Sequence, residues 1–351
     1  MQRREFMSLA TASAGGVLAS SRAALGQPAP APPTAAAHVP MEVSFQPAWL
    51  SWVAATGACL RALGVDCDNA DVAGYSGYAF HMNVPPQVDV SGPTSFPWGD
   101  LASGIRSLGR STLELKADEV YDEPNMGEAF ALAGREVKAG RPCVLWGIEM
   151  PEFCAVVGVE GDEFIYRWAG QPASDQRLQY TKVQCPAGPY VLAFPTATPT
   201  VRVVAGRVAL VNALSFLHRR PGRRSHHFGL AAYDSWIVEL EAGSANGFGN
   251  SYCAQCFGEA KGFSRDFLTR LADRNTHAAG PLDKALLAYG EVADAMQRVA
   301  QLFPFPGAAD QKVADLVTIG EAVESLKAAR DAETRAAAAL EEALEVEWPD
   351  R

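Results

Sequence analysis

The chain has 351 residues, with 30 Lys and Arg against 40 Asp and Glu and a formal net charge of −10. That balance argues against nucleic acid and anionic membrane surfaces as partners, because binding either one normally draws on a basic face. No stretch reaches the ~18 unbroken apolar residues of a spanning helix, so no membrane insertion is expected.

The chain opens with MQRREFM, which sets Arg3 and Arg4 before Phe6. An Ala/Ser/Gly-rich run follows from Leu9 to Ala19, and Ala24-Leu25-Gly26 supplies small residues for cleavage. Charged, apolar and small segments in that order predict a twin-arginine signal peptide over residues 1–26. The twin-arginine export machinery is therefore an expected partner, and the mature protein is expected to be periplasmic or secreted. Without the signal, 27 basic residues face 39 acidic ones. Residues 27–40, QPAPAPPTAAAHVP, hold five prolines and no apolar period, which predicts an extended linker.

Trp49 to Leu63 has apolar residues at helical spacing and meets a natural stop at Gly64, so a buried helix is predicted there. Arg135 to Ala139 reads as the end of a second helix, closed by Gly140-Arg141-Pro142. The runs Cys143–Trp146, Phe153–Val159, Phe164–Trp168 and Tyr190–Phe194 are β-branched or aromatic and bounded by turn residues. They predict a largely antiparallel sheet, with a tight turn at Gly161-Asp162. Beyond Val208 the periodicity becomes helical. Val208–His218 leads into the basic turn Arg219–Arg224, and Leu282, Leu286, Tyr289, Ala293, Met296 and Ala300 form one apolar stripe. A second stripe runs through Val313, Leu316, Ile319, Val323 and Leu326. The fold class is α+β: a sheet domain over residues 41–205, then an all-α domain over 206–347.

Seven cysteines in an exported protein permit disulfides, and an odd number leaves at least one thiol over if all pairing is internal. Cys253-Ala-Gln-Cys256 has the spacing of a redox or zinc pair. A structural zinc needs two further ligands, for which His226-His227 are candidates; small thiols on a helix face are the simpler reading, and no metal is assigned. No phosphate-cradling glycine loop and no Gly-x-Ser-x-Gly elbow occurs, so no cofactor is assigned either. Glu149 and Glu152 flank Met150-Pro151 after an apolar strand, a placement that suits the rim of a cleft. Two loops, Gly74–Phe80 and Ser91–Trp98, combine glycine with aromatic residues. Tyr75, Ser76, Tyr78 and Trp98 are thus candidates either to line a ligand cleft or to close the core beneath tight turns.

Several of these segments occur together in one family. GACLRALG (57–64) followed by GYSGYAF (74–80), SGPTSFPW (91–98), and GRPCVLWG (140–147) leading into EFCAVVG (152–158) resemble the N-terminal domain of butirosin biosynthesis protein H and its relatives. The likeness covers roughly residues 43–200, and GLAAY through WIVEL (229–240) is similar to the C-terminal region of some of those relatives. It implies a papain-like fold near the bacteriocin-processing cysteine peptidases. The chemistry of that fold sets a thiol at the N-terminus of the buried helix and an imidazole on the facing strand to take its proton. Here the resemblance puts Ser51 near the nucleophile position, Cys59 about two turns further along the helix, and Cys154 where the histidine belongs. A neutral thiol has no basic lone pair comparable to that of imidazole, so the usual dyad is missing. Three readings stand open. One is a degenerate, non-catalytic member that binds a small molecule or peptide in the remnant cleft. Another is a thiol-dependent amide hydrolase or acyltransferase, with Cys59 or Cys154 as nucleophile and His81 as base. The third is a structural partner of another secreted protein.

Overall fold

The computed structural model describes residues 34–116, 126–185, 188–200, 202–219, 226–307 and 309–348. The predicted signal peptide and the basic turn beyond Arg219 lie outside them. Among the described residues the strands are β1 Thr34–His38, β2 Asn83–Val84, β3 Leu113–Lys116, β4 Cys143–Trp146, β5 Phe153–Gly161, β6 Glu163–Trp168, β7 Gln171–Gln179, β8 Tyr190–Ala193 and β9 His227–Phe228. The architecture is mixed helix and antiparallel sheet, as the α+β reading expects. Two compact units share the chain discontinuously. Of the described residues, the sheet unit takes those within 34–47, 51–66 and 112–196, and the helical unit those within 48–50, 67–111 and 197–348.

In the sheet unit the strand order is β3-β8-β4-β5-β6-β7, with β1 also paired to β5, and every pair is antiparallel. β4 is buried along its whole length and β5 from Phe153 to Val159. Both faces are covered, which is why these segments read as continuous apolar runs rather than alternating ones. Gly147, at φ +87°, turns β4 toward β5; a Cβ there would stand 2.4 Å from the carbonyl oxygen of Gln184, so only glycine fits. The pleat sends Phe153 to the same face as Trp146 and Tyr190, at ring separations of 4.7 and 6.1 Å. The predicted buried helix, Ser51–Ala62, packs on β4 and β5, with Trp52 fully buried. The opposite face carries Phe164, 5.0 Å from Phe130 of helix Met126–Lys138.

Thr34–His38 corrects the linker expectation. Instead of a free spacer these residues form β1, with Ala37 opposite Val159 and His38 opposite Gly158. Three consecutive alanines can lie along a sheet edge as readily as in a spacer, and the pairing partner is more than a hundred residues away, out of reach of local pattern.

In the helical unit, helices Gly247–Arg274, Ala279–Leu302 and Leu316–Glu345 pack in succession, the last also against Ala231–Glu241 and Arg202–Leu217. Asn246 caps the first of these by accepting from Gly249 N, and Asp315 caps the last by accepting from Val317 N. Residues 67–111 belong here rather than to the sheet domain expected over 41–205. The cause is long-range. Arg270 grips Asp68 with both terminal nitrogens, at 2.8 and 2.7 Å, and reaches Asp71 at 3.0 Å. Asp68 and Asp71 themselves form a capping box on helix Asn69–Ser76. That helix approaches Gly247–Arg274 so closely that a Cβ on Gly74 would lie 2.1 Å from the Phe267 ring. Gly74 to Phe80, expected as a loop, is therefore the end of a helix plus a short 3-10 turn over Tyr78–Phe80.

Candidate functional site

The residues singled out in the sequence fall into both units. Ser51, Cys59, Glu149, Cys154 and Glu152 belong to the sheet unit, and Tyr75, Ser76, Tyr78, His81 and Trp98 to the helical unit.

Ser51 opens the buried helix, and its hydroxyl oxygen accepts a hydrogen bond of 3.2 Å from the backbone N–H of Phe153. That bond ties the start of the helix to the backbone of β5. Cys154 lies one residue along on the other face, level with Leu145 and on the same side as Cys143. Cys59, Cys143 and Cys154 are all fully buried. Burial pushes each thiol up from its ordinary value, and the neighbouring cysteines push Cys59 and Cys154 in the same direction. None of the three has an imidazole to take its proton within the unit. Its only histidine, His38, sits on edge strand β1, 43% exposed and paired with Asp175 at 3.2 Å. Glu152 is buried inside the β4–β5 turn, where its carbonyl accepts from Gly147 N at 2.9 Å, and Glu149 faces solvent. No two of the seven cysteines form a disulfide.

In the helical unit the aromatic segments close a core. Tyr75 meets Phe267 at 5.0 Å and its carbonyl accepts from Asn212 Nδ2. The Ser76 hydroxyl bonds Ala73 O, the Tyr78 hydroxyl donates to Pro93 O at 2.5 Å, and Trp98 Nε1 donates to Thr94 O. Cys253 and Cys256 stand one turn apart on helix Gly247–Arg274, both buried, and the Cys253 thiol donates to Asp89 O.

His81 sits in a different kind of place. It follows the 3-10 turn and leads into β2, which pairs with β9 so that Asn83 lies opposite Phe228. Its ring is 1% exposed and surrounded by Phe96 at 4.1 Å, Phe216 at 5.3 Å, Tyr78 at 5.9 Å, Phe228 at 6.3 Å and Phe257 at 6.5 Å. Neither ring nitrogen has a hydrogen-bond partner among the described residues. Burial, then the charges of Arg219 and Lys261, hold its pKa well below the ordinary histidine value, so the ring is neutral at pH 7.

One polar cluster had no counterpart in the sequence reading. Lys261 and Glu333 are both fully buried and joined at 2.7 Å. Glu333 also accepts from Tyr289 at 2.9 Å and Tyr233 at 2.7 Å, and Lys261 donates to Phe80 O at 3.3 Å. Both tyrosines are pushed up, first by burial and then by the Glu333 charge. A signal was present: Lys261 interrupts the buried positions Phe257, Ala260, Ser264 and Leu268, and Glu333 interrupts Ala329, Ala332, Ala336 and Leu340. Charges at core positions of two helical stripes point to each other.

No protein-family model matches the chain, and no curated protein does. Among the described residues no helix is long and apolar enough to cross a membrane.

Proposed function

We propose that the chain is an exported protein whose sheet unit derives from the papain-like fold, has lost the peptidase dyad, and serves a binding role toward a small molecule or peptide. The observation that carries this reading is the state of the sulfur atoms. Three thiols lie fully buried in the sheet unit, each held protonated by desolvation, in a unit whose only histidine is half-exposed on an edge strand. Thiol catalysis needs an accessible, depressed thiol beside a base. All three conditions are reversed here, and Cys154, at the position where the resemblance to butirosin biosynthesis protein H implies a histidine, is itself one of the buried thiols.

Labelling the folded protein with a thiol-reactive probe near pH 7 tests this. Cys185, the most exposed of the seven cysteines, should react first, and Cys59, Cys143 and Cys154 only after denaturation. Rapid labelling of Cys59 or Cys154 that disappears in His81→Ala would instead establish the thiol hydrolase or acyltransferase. Export has its own test: replacing Arg3 and Arg4 by Lys should retain the precursor in the cytoplasm, and undiminished secretion refutes the twin-arginine route.

A further inference from the structure

Four buried polar atoms gather near one small ribbon of the helical unit without hydrogen-bond partners among the described residues: Nδ1 and Nε2 of His81, Oδ1 of Asn83 and Nη1 of Arg219. Residues opposite each other in an antiparallel pair share a face, and so do residues two apart. Asn83 and Phe228 therefore face the same way; the His226 ring lies 6.4 Å from that of Phe228, and its Nε2 lies 3.4 Å from the Ser91 hydroxyl. Arg219 covers Phe216 at 5.2 Å and Phe228 at 5.8 Å, two of the rings that also surround His81. Its other terminal nitrogen, Nη2, pairs with Asp100.

Buried polar atoms left without partners cost about 1–3 kcal/mol each, and native chains carry few of them without a bound group or a water to answer them. His81 and Asn83 are 1% and 0% exposed, so open solvent does not answer theirs. The unmet atoms also have a definite character. Arg219 Nη1 and one His81 nitrogen are donors, whereas the other His81 nitrogen and Asn83 Oδ1 are acceptors, since neutral imidazole is one of each. A ligand with carboxylate oxygens of single negative charge and one hydroxyl donor answers three of the four, the two donors and Asn83 Oδ1. Arg219 and Lys261 supply a positive field at His81, Glu333 and Asp100 already balance part of it, and a doubly charged phosphate is a poor match for what remains. The phenyl walls suit a short apolar tail.

We propose that His81, Asn83 and Arg219 form a binding site for a small 2-hydroxycarboxylate, its carboxylate on Arg219 and His81 and its hydroxyl on Asn83. Arg219 is the exposed member of the three, with 26% of its side chain open to solvent, whereas His81 and Asn83 are buried. The proposal goes beyond the reading above, since its atoms belong to the helical unit and not to the sheet unit. Fast labelling of Cys59 would overturn that reading and leave the site untouched, and an empty site would leave the thiol result standing.

The experiment is a titration of the full chain with sodium lactate, propionate and inorganic phosphate, followed through the imidazole nitrogen and proton resonances of His81 and through the melting temperature. Lactate should shift the His81 signals and raise the melting temperature. Propionate, which leaves Asn83 Oδ1 unmatched, should bind roughly tenfold more weakly. Arg219→Gln should weaken lactate roughly tenfold or more by removing a charge-assisted bond. His81→Phe keeps a ring of similar size without the two nitrogens, so it should fold, melt higher in the absence of ligand, and lose the lactate response. The proposal is overturned if lactate leaves the His81 resonances unmoved, if phosphate moves them as strongly, or if His81→Phe keeps the full lactate-induced rise in melting temperature.

Discussion

Lys261 and Glu333 show what a single charged side chain costs inside this protein. The carboxylate takes three donors, from Lys261, Tyr233 and Tyr289, and the ammonium has a second acceptor at Phe80 O, so both charges are well matched in a fully buried setting. Removing one member leaves the other charge without its counter-ion. Lys261→Met should cost about 3–5 kcal/mol of unfolding free energy. Exchanging both partners for apolar residues should cost much less, because the stranded charge is what penalises the single change. Urea unfolding of the two single variants and Lys261→Met/Glu333→Leu checks this. A double variant as unstable as the sum of the singles would mean that the pair contributes no coupling.

The joint between helices Asn69–Ser76 and Gly247–Arg274 depends on the absence of one methyl group. A Cβ on Gly74 would fall 2.1 Å from a ring carbon of Phe267, a distance that real contacts do not reach, and Phe267 is itself held by Tyr75 and Phe80. Gly74→Ala should therefore destabilise by about 1–3 kcal/mol although alanine favours helix, and Gly74→Ala/Phe267→Leu should recover part of the loss. Chemical denaturation of both variants decides it; a stabilised Gly74→Ala would show that the two helices do not meet as described. The same joint explains how far the sequence could be read. β4, β5, β6 and β8 were legible because each is a short apolar run bounded by Gly, Pro or a turn, and the helix at 51–62 because its spacing and its glycine stop are local. The membership of residues 67–111 in the helical unit depends on Arg270 and Phe267, some two hundred positions away, and nothing within the segment announces it. His81 could be picked out as a lone histidine after an aromatic turn. The rings around it come from Tyr78, Phe96, Phe216, Phe228 and Phe257, five separate places along the chain, so its enclosure was out of reach of spacing.

Taken across the chain, the buried titratable groups set opposite limits on the pH range of the fold. Cys59, Cys143, Cys154, Cys253, Tyr190, Tyr233 and Tyr289 are all raised above ordinary values of 9.0 for the thiols and 10.0 for the phenols, with burial the first cause in each. Between the ordinary and the folded value the unfolded chain releases the proton and the folded chain keeps it. Their contribution is therefore complete below pH 9.0 and is lost as pH rises beyond it. His81 works the other way. Its folded value lies well below the ordinary 6.5, so below that pH the unfolded chain gains a proton that the folded chain refuses, and stability falls as the solution is acidified. Each such group tilts the unfolding free energy by about 1.4 kcal/mol per pH unit inside its window. Several thiols act together on the alkaline side and one imidazole on the acid side, so the alkaline limb should be the steeper, with a plateau between pH 6.5 and 9.0. Urea midpoints measured from pH 5 to pH 11 would trace both limbs, and His81→Phe should flatten the first unit of decline below pH 6.5 while leaving the alkaline limb in place. An acid limb unchanged in that variant would mean that His81 takes up its proton in the folded protein as readily as in the unfolded one, which its enclosure by five aromatic rings does not permit.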